Sequence, residues 1–259
     1  YIISAIFRPD QLFFQWFGAP YRKMLYCFTH LFVQDNRSKE LLEQYGIRNV
    51  TVYGDTRFDR VLDVRNQARE LPEVERFVGK RSLTLIAGSS WPQDEEILIP
   101  YFNEHPEMKL IIAPHEIHRE HLMYIESLLK RPAVRLSDVM QDKSLLEGKD
   151  CLIVDSFGLL SSIYRYGTIA YIGGGFGAGI HNTLEAAVYG IPVLFGPRYQ
   201  KFKEARDLIK VGGGFSVASK DEFMAKMDEL LTYAEVLKAA GESAGQFVKG
   251  NAGATDGIL

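Results

Sequence analysis

The densest chemical signal in the 259-residue chain is Gly173-Gly174-Gly175-Phe176-Gly177-Ala178-Gly179-Ile180-His181-Asn182-Thr183-Leu184-Glu185. Five glycines within seven residues are costly unless the backbone must adopt unusual φ/ψ angles or lie against a ligand. A helical pattern follows at once over 183–189, so its unpaired N–H groups and positive end face the loop. Such a loop suits a phosphate. It is a poor match to the dinucleotide G-x-G-x-x-G fingerprint, because no acidic strand end follows about 20 residues on. Asn182 and Glu185 have the spacing of a capping box, worth about 1 kcal/mol through its cap. A carboxylate at Glu185 also suits the two hydroxyls of a ribose, and both readings hold together.

Four other segments carry candidate chemistry. Gly88-Ser89-Ser90-Trp91-Pro92 offers hydroxyl and backbone donors for an anion or a sugar, or else Ser90 as the N-cap of a helix with Pro92 in its first turn. Pro114-His115-Glu116-Ile117-His118-Arg119, with His121 close behind, gathers metal-ligand types. Its histidines are spaced by three, however, without the i, i+4 pair and catalytic Glu of a helical zinc motif. No metal is expected there; a donor cluster facing a phosphate fits better. Ser156 and Gly158 sit before another helical pattern, and Gly196-Pro197-Arg198 leads to Lys201.

These segments share one position in the chain: each follows a short apolar run. The runs fall at 83–87, 110–113, 152–154, 169–172, 193–195 and 215–217. Most are separated by helical patterns, at 94–103, 119–130, 158–166, 183–189, 201–209 and 221–230, and a further helix is expected at 234–249. Strands spaced by helices predict a doubly wound parallel α/β sheet, whose ligands sit beyond the carboxyl ends of the strands. Upstream, a strand–helix–strand passage is expected at 30–34, 37–45 and 49–53, with charged residues at 63–81 reading as a linker.

Composition narrows the function classes. With 46% hydrophobic and 24% charged residues, the chain is an ordinary globular protein rather than a disordered or fibrous one. No apolar run approaches the ~20 residues of a membrane span. Cys27 and Cys151 are too few for a disulfide framework or a cysteine zinc site, which fits a reducing compartment. The net charge of -3 speaks against a nucleic-acid partner. Near the start, Phe7, Phe13, Phe14, Trp16, Phe17, Tyr21, Tyr26 and Phe28 alternate with Arg8, Arg22 and Lys23. This stretch suits either an anionic membrane surface or packing against further sequence. The opening Tyr1-Ile2-Ile3 lacks a leader pattern and reads as mid-fold.

Taken in order, Gly54-Asp55-Thr56-Arg57-Phe58-Asp59, Gly88-Ser89-Ser90, Gly158, Gly179 through Glu185, Phe195-Gly196-Pro197 and Asn251-Ala252-Gly253-Ala254-Thr255 resemble the 3-deoxy-D-manno-octulosonic acid (Kdo) transferases of Gram-negative lipopolysaccharide synthesis. The resemblance covers essentially the whole chain; the His-Asn-x-x-Glu segment and the following Phe-Gly-Pro are its most specific parts. It implies a GT-B fold of two Rossmann-like domains. It also implies metal-free, inverting transfer of Kdo from CMP-Kdo to a lipid A precursor, with no cofactor. On this reading residues 1–60 are the remnant of an acceptor domain and 61–81 the linker. Residues 82–233 form the CMP-Kdo binding domain and 234–259 a terminal helix and tail. The family's membrane-anchoring segment and catalytic carboxylate base fall upstream of Tyr1. This portion is then expected to be soluble and inactive alone, within a protein at the cytoplasmic face of the inner membrane.

Residue by residue, the resemblance assigns CMP contacts to Pro114 and His115, to Phe157, Gly158 and Leu159, and to Asn182, Thr183, Leu184 and Glu185. Further phosphate or Kdo contacts are expected at Ser89, Ser90, Arg119, Gly179, His181 and Arg198. His115 departs from the arginine of many relatives, with Arg119 as a substitute. Arg198 and Lys201 stand where relatives often carry His and Asn. The alternatives are a UDP-sugar transferase or UDP-GlcNAc epimerase, a nicotinamide-dependent oxidoreductase, and a nonenzymatic nucleotide-binding module.

Overall fold

In a computed structural model, which describes residues 1–79 and 83–259, every strand pairing is parallel. The contacts divide the chain into two units, Tyr1–Asp63 with Val248–Leu259, and Val64–Phe247.

The first unit is built on three strands, β1 (Ile2–Ala5), β2 (Leu31–Val33) and β3 (Val50–Val52), in the order β1-β2-β3. Leu31 and Val33 on the middle strand are fully buried, packed with Phe7, Phe14, Leu25, Leu42 and Ile47. Phe7 and Phe14 are thus core residues, whereas Trp16 at 93% exposure and Phe17 face outward. The Asp35 side chain caps helix Asn36–Gln44 by accepting from the Ser38 N–H. The Gly54–Asp59 segment leads into helix Thr56–Asn66. On that helix Asp59 accepts hydrogen bonds from the Gly253 N–H, the Thr255 N–H and the Thr255 hydroxyl, which ties down the start of helix Ala254–Ile258.

The second unit carries seven strands: β4 (Leu83–Ser90), β5 (Met108–Pro114), β6 (Ala133–Arg135), β7 (Cys151–Ile153), β8 (Ile169–Ile172), β9 (Val193–Phe195) and β10 (Gly214–Ser216). Their order is β10-β9-β8-β4-β5-β7-β6, so the doubly wound parallel sheet expected from the sequence is present. Its central strands are apolar on consecutive residues because both faces are covered: Leu85, Ile86 and Ala87 are all buried, as are all of β7 and β8. Helices present one apolar stripe to this sheet. Phe223, Met227 and Leu230 are the buried set of helix Lys220–Thr232, which the Ser219 hydroxyl caps at the Glu222 N–H. Cys151 lies within β7, and burial pushes its thiol far above the ordinary range, so it is an inert core residue.

The structure differs from the sequence reading in several elements. The charged 61–81 stretch is largely helical, with Thr56–Asn66 continuing into it and Pro72–Val78 starting at a proline. The end of that stretch and Ser82, where the second domain was expected to begin, lie outside the described residues. Strands β1 and β6 were not anticipated: β6 is a three-residue edge strand after Pro132, too short to show a pattern. The 158–166 helix is one α-turn, Leu160–Ile163, followed by a 3-10 turn, Tyr164–Tyr166.

Burial works to raise the Asp59 pKa, but its hydrogen bonds from Gly253, Thr255 and Ala254 outweigh it and hold the carboxyl below its usual range. A lowered folded-state pKa means the stabilisation is present above the unfolded pKa and lost as pH falls through the folded one. Asp59→Ala is expected to speed amide exchange at Gly253 and Thr255 by roughly tenfold. In the unsubstituted chain the same protection should persist at neutral pH and fade only below the ordinary carboxylate range.

Candidate functional site

The β4 strand is flanked by β5 on one side and β8 on the other, so the order of connection reverses there. Ligands of such sheets bind in the crevice at this reversal, beyond the carboxyl ends of the strands. At the end of β4 the register with β5 slips between Gly88 and Ser90, and Ser89 takes φ +52°. A left-handed serine costs about 1–3 kcal/mol and marks a position held by its surroundings. The slip separates the two serines. Ser89 lines a cavity of about 240 Å³, together with Pro114, His115, Ile117, Phe157, Gly158 and Leu160 among others. Ser90 is fully buried and its hydroxyl donates to Glu95 at 2.8 Å, so that side chain is engaged inside the protein. Ser90 is not the helix cap: helix Pro92–Glu104 begins after Trp91, whose N–H donates to Asp94.

Asp94 and Glu95, both without solvent exposure, organise what surrounds that cavity. Asp94 Oδ2 accepts from the Trp91 and Gly174 N–H groups, each at 2.9 Å, and Oδ1 accepts from the Tyr171 hydroxyl at 2.8 Å. One carboxylate therefore fastens the glycine-rich loop to the end of β4. Glycine is required beside it, since a Cβ on Gly173 would lie 2.2 Å from the Ser89 carbonyl oxygen and one on Gly175 2.5 Å from Gly196 Cα. Glu95 faces His121 Nε2 at 2.9 and 3.0 Å, and His121 Nδ1 meets the Glu116 carbonyl at 2.8 Å. A carbonyl only accepts, so Nδ1 carries a hydrogen, and Nε2 and Glu95 share the next proton. This pair fixes the Pro114–Arg119 turn from behind, while the His115 N–H donates to the Ser90 carbonyl. Burial raises the pKa of both carboxyls, opposed at Asp94 by the bonds from Gly174, Trp91 and Tyr171, and at Glu95 by those from His121 and Ser90.

Among the described residues Glu116, His118 and His121 form a group of metal-ligand types within 4.8 Å of one another. Both ring nitrogens of His121 are already engaged, and His118 Nδ1 accepts the His121 N–H as the helix cap, so this cluster is spent on structure.

The helix after the glycine-rich loop is a single turn, Leu184–Ala187, so local N–H groups rather than a long helix dipole face the loop. Asn182 Oδ1 accepts the Leu184 N–H, as a cap does, but Glu185 does not close the box. Its Oε1 instead accepts from Asn182 Nδ2 at 3.1 Å, and burial raises its pKa against that bond. Thr183 and Leu184 are fully buried, and among the described residues Thr183 Oγ1 has no hydrogen-bond partner. Leu159 is half-buried, and Phe157 stands 76% exposed at the cavity edge. Arg119 is exposed at the first position of helix Arg119–Leu128. Arg198 is turned back on the loop: its guanidinium donates to the Gly177 carbonyl and its N–H to the Gly175 carbonyl.

A second cavity, of about 360 Å³ and mostly apolar, is lined by Trp91, Pro92, Gln93, Gly174, Gly177, Ala178, Gly179 and His181. The Trp91, His115 and His181 rings, which follow β4, β5 and β8, stack together where the two cavities are lined. Trp91, Asp94 and Glu95 escaped the sequence reading as functional residues. The only signal for them was a tryptophan and two acidic residues crowded into one helix start.

No family model matches the chain. A 3-deoxy-D-manno-octulosonic acid transferase of Aquifex aeolicus is 33% identical over 165 residues, 61% of this chain and 45% of that protein. One of Rickettsia felis is 27% identical over 246 residues, 92% of this chain and 52% of that protein. The chain is similar in sequence to proteins named Kdo transferases. It spans about half the length of these curated relatives. The C-terminal CMP-Kdo binding domain of WaaA from Acinetobacter baumannii superposes with a TM-score of 0.57 at 21% identity, covering 74% of this chain and 97% of that one. A Listeria monocytogenes protein described as a proposed UDP-N-acetylglucosamine 2-epimerase gives a TM-score of 0.61 at 14% identity, covering 95% and 64%. These likenesses establish the GT-B type of α/β fold and, at such identities, nothing finer. Among the described residues no helix is long and apolar enough to cross a membrane.

Replacing Asp94 by Asn leaves an amide N–H₂ facing buried donors. The substitution is expected to lower stability by about 1–3 kcal/mol, read as a fall in melting temperature. Amide exchange at Gly174 should accelerate with it.

Proposed function

We propose that this chain supplies the donor-binding part of a glycosyltransferase that moves Kdo from CMP-Kdo to a lipid A precursor. The observation that carries the reading is the convergence of Ser89, Pro114, His115, Phe157 and Gly158 on one cavity at the sheet's reversal point, in a chain similar to proteins named Kdo transferases. Phe157 offers a flat face to a pyrimidine. Glu185, with Oε1 held by Asn182, offers Oε2 to the ribose hydroxyls. The glycine-rich loop and His181 supply donors to the phosphate, and Arg119 adds charge in place of the arginine absent at His115. Thr183 and Leu184 act through the backbone.

Transfer breaks the bond between Kdo and the CMP phosphate, so negative charge grows on the departing phosphate. Donors already fixed in place stabilise that charge without reorganising. The reading includes inversion at the sugar, with the acceptor hydroxyl deprotonated by a carboxylate base supplied by sequence beyond this chain. It also includes action at the cytoplasmic face of the inner membrane, where the lipid acceptor lies. No metal or cofactor enters the scheme.

Calorimetric titration with CMP, UMP and NAD tests this. Selective CMP binding is expected, weakened roughly 10- to 100-fold by Glu185→Ala through loss of hydrogen bonds to a charged group. Tighter binding of UMP would transfer the reading to a UDP-sugar enzyme, and indifference to Glu185→Ala would remove the ribose from that residue.

A further inference from the structure

The ring stack between the two cavities has a defined hydrogen-bond polarity. Trp91 Nε1 lies 3.2 Å from His181 Nε2, and an indole nitrogen only donates. His181 Nε2 must therefore be the bare, accepting nitrogen, which places the ring's hydrogen on Nδ1. Nδ1 has no hydrogen-bond partner among the described residues, and the His181 N–H is anchored to the Gly173 carbonyl at 3.2 Å. The same indole stacks on His115 with centroids 4.6 Å apart, and His115 stacks on His181 at 4.5 Å. Three rings from three separate loops are thus held as one wall, with the exposed His115 on the side of the smaller cavity and Trp91 and His181 on the side of the larger.

We propose that Trp91 is a positioning residue: its indole N–H locks His181 as the neutral Nδ1–H tautomer, aligning that hydrogen as a fixed donor to the anionic part of the bound nucleotide sugar. Independent features agree. Burial, and then the neighbouring His115, lower the His181 pKa, so the ring stays uncharged at neutral pH. Two imidazoles stacked this closely cannot both be charged cheaply, which agrees with a neutral His181 ring. The indole lines the larger cavity beside His181, so its removal would free His181 to rotate. The ligand half of this inference rests on the nucleotide-sugar reading above; the tautomer half does not.

The test compares the chain with Trp91→Phe, which keeps a flat ring against His115 but has no N–H. In ligand-free protein, long-range ¹⁵N–¹H correlation of the histidine side chains should show His181 with an unprotonated Nε2 and a protonated Nδ1. Trp91→Phe should shift both His181 nitrogens toward the averaged values of a mixed tautomer. CMP affinity should fall roughly 2- to 10-fold, the worth of one hydrogen bond. His181→Ala should lower it comparably, and the double variant should be no worse than His181→Ala alone. A protonated Nε2 in the unsubstituted chain, or unchanged His181 nitrogens in Trp91→Phe, would overturn the tautomer lock. Fully additive losses would show that Trp91 does not act through His181. If no variant binds CMP while the tautomer shift is seen, the lock stands and the nucleotide reading falls. Matching melting temperatures, with Trp91→His as a second ring-preserving variant, separate these outcomes from misfolding.

Discussion

The arrangement of the second unit depends on two adjacent carboxylates that have no access to water. Burying an acidic side chain is costly unless its oxygens are fully used. Asp94 uses its oxygens to hold β8's glycine-rich loop and the start of its own helix, and Glu95 uses its oxygens to hold Ser90 and His121. Because the two residues follow one another at a helix start, segments after β4, β5 and β8 are referenced to a single turn of backbone. The segments after β4, β5 and β8 that line the cavities are thereby held in the ligand-free structure, and preorganised donors of that kind are what stabilise developing charge best.

That rigidity has a sequence cost that is visible in the composition of the loops. The close approach of Gly173 to Ser89 and of Gly175 to Gly196 excludes a Cβ at either position, and Ser89 itself is held in a left-handed conformation. The positive charge near the site is sparse. Arg198 spends its guanidinium on the Gly177 carbonyl, and Arg119 is exposed at the start of helix Arg119–Leu128. The site therefore relies on neutral donors more than on net charge. A stack of two histidines and a tryptophan is a compatible solution, since it supplies directional hydrogens without permanently buried cations.

The parallel sheet was legible because its strands are buried on both faces, so runs such as 169–172 are apolar without interruption, and those at 83–87, 169–172 and 193–195 run directly into glycine. The residues at their carboxyl ends were legible for the same reason: the topology leaves only those loops free to carry chemistry. What escaped was orientation. Ser89 and Ser90 are identical in type and adjacent, and only the register slip between β4 and β5 sends one to the cavity and the other into the core. Arg198 read as a free cation because sequence does not reveal a carbonyl within its reach. The 61–81 stretch read as a linker because short helices such as Pro72–Val78 bury only one narrow stripe, here Val74 and Phe77 beside Glu73, within a largely charged sequence.

The most direct test of the account is a crystal structure of the chain with CMP bound. The account predicts the pyrimidine against Phe157 and Pro114, the ribose hydroxyls on Glu185, and the phosphate within hydrogen-bond reach of the loop between Gly177 and Asn182. Nucleotide density elsewhere, with Glu185 and the glycine-rich loop untouched, would contradict the assignment of these strand ends as the donor site.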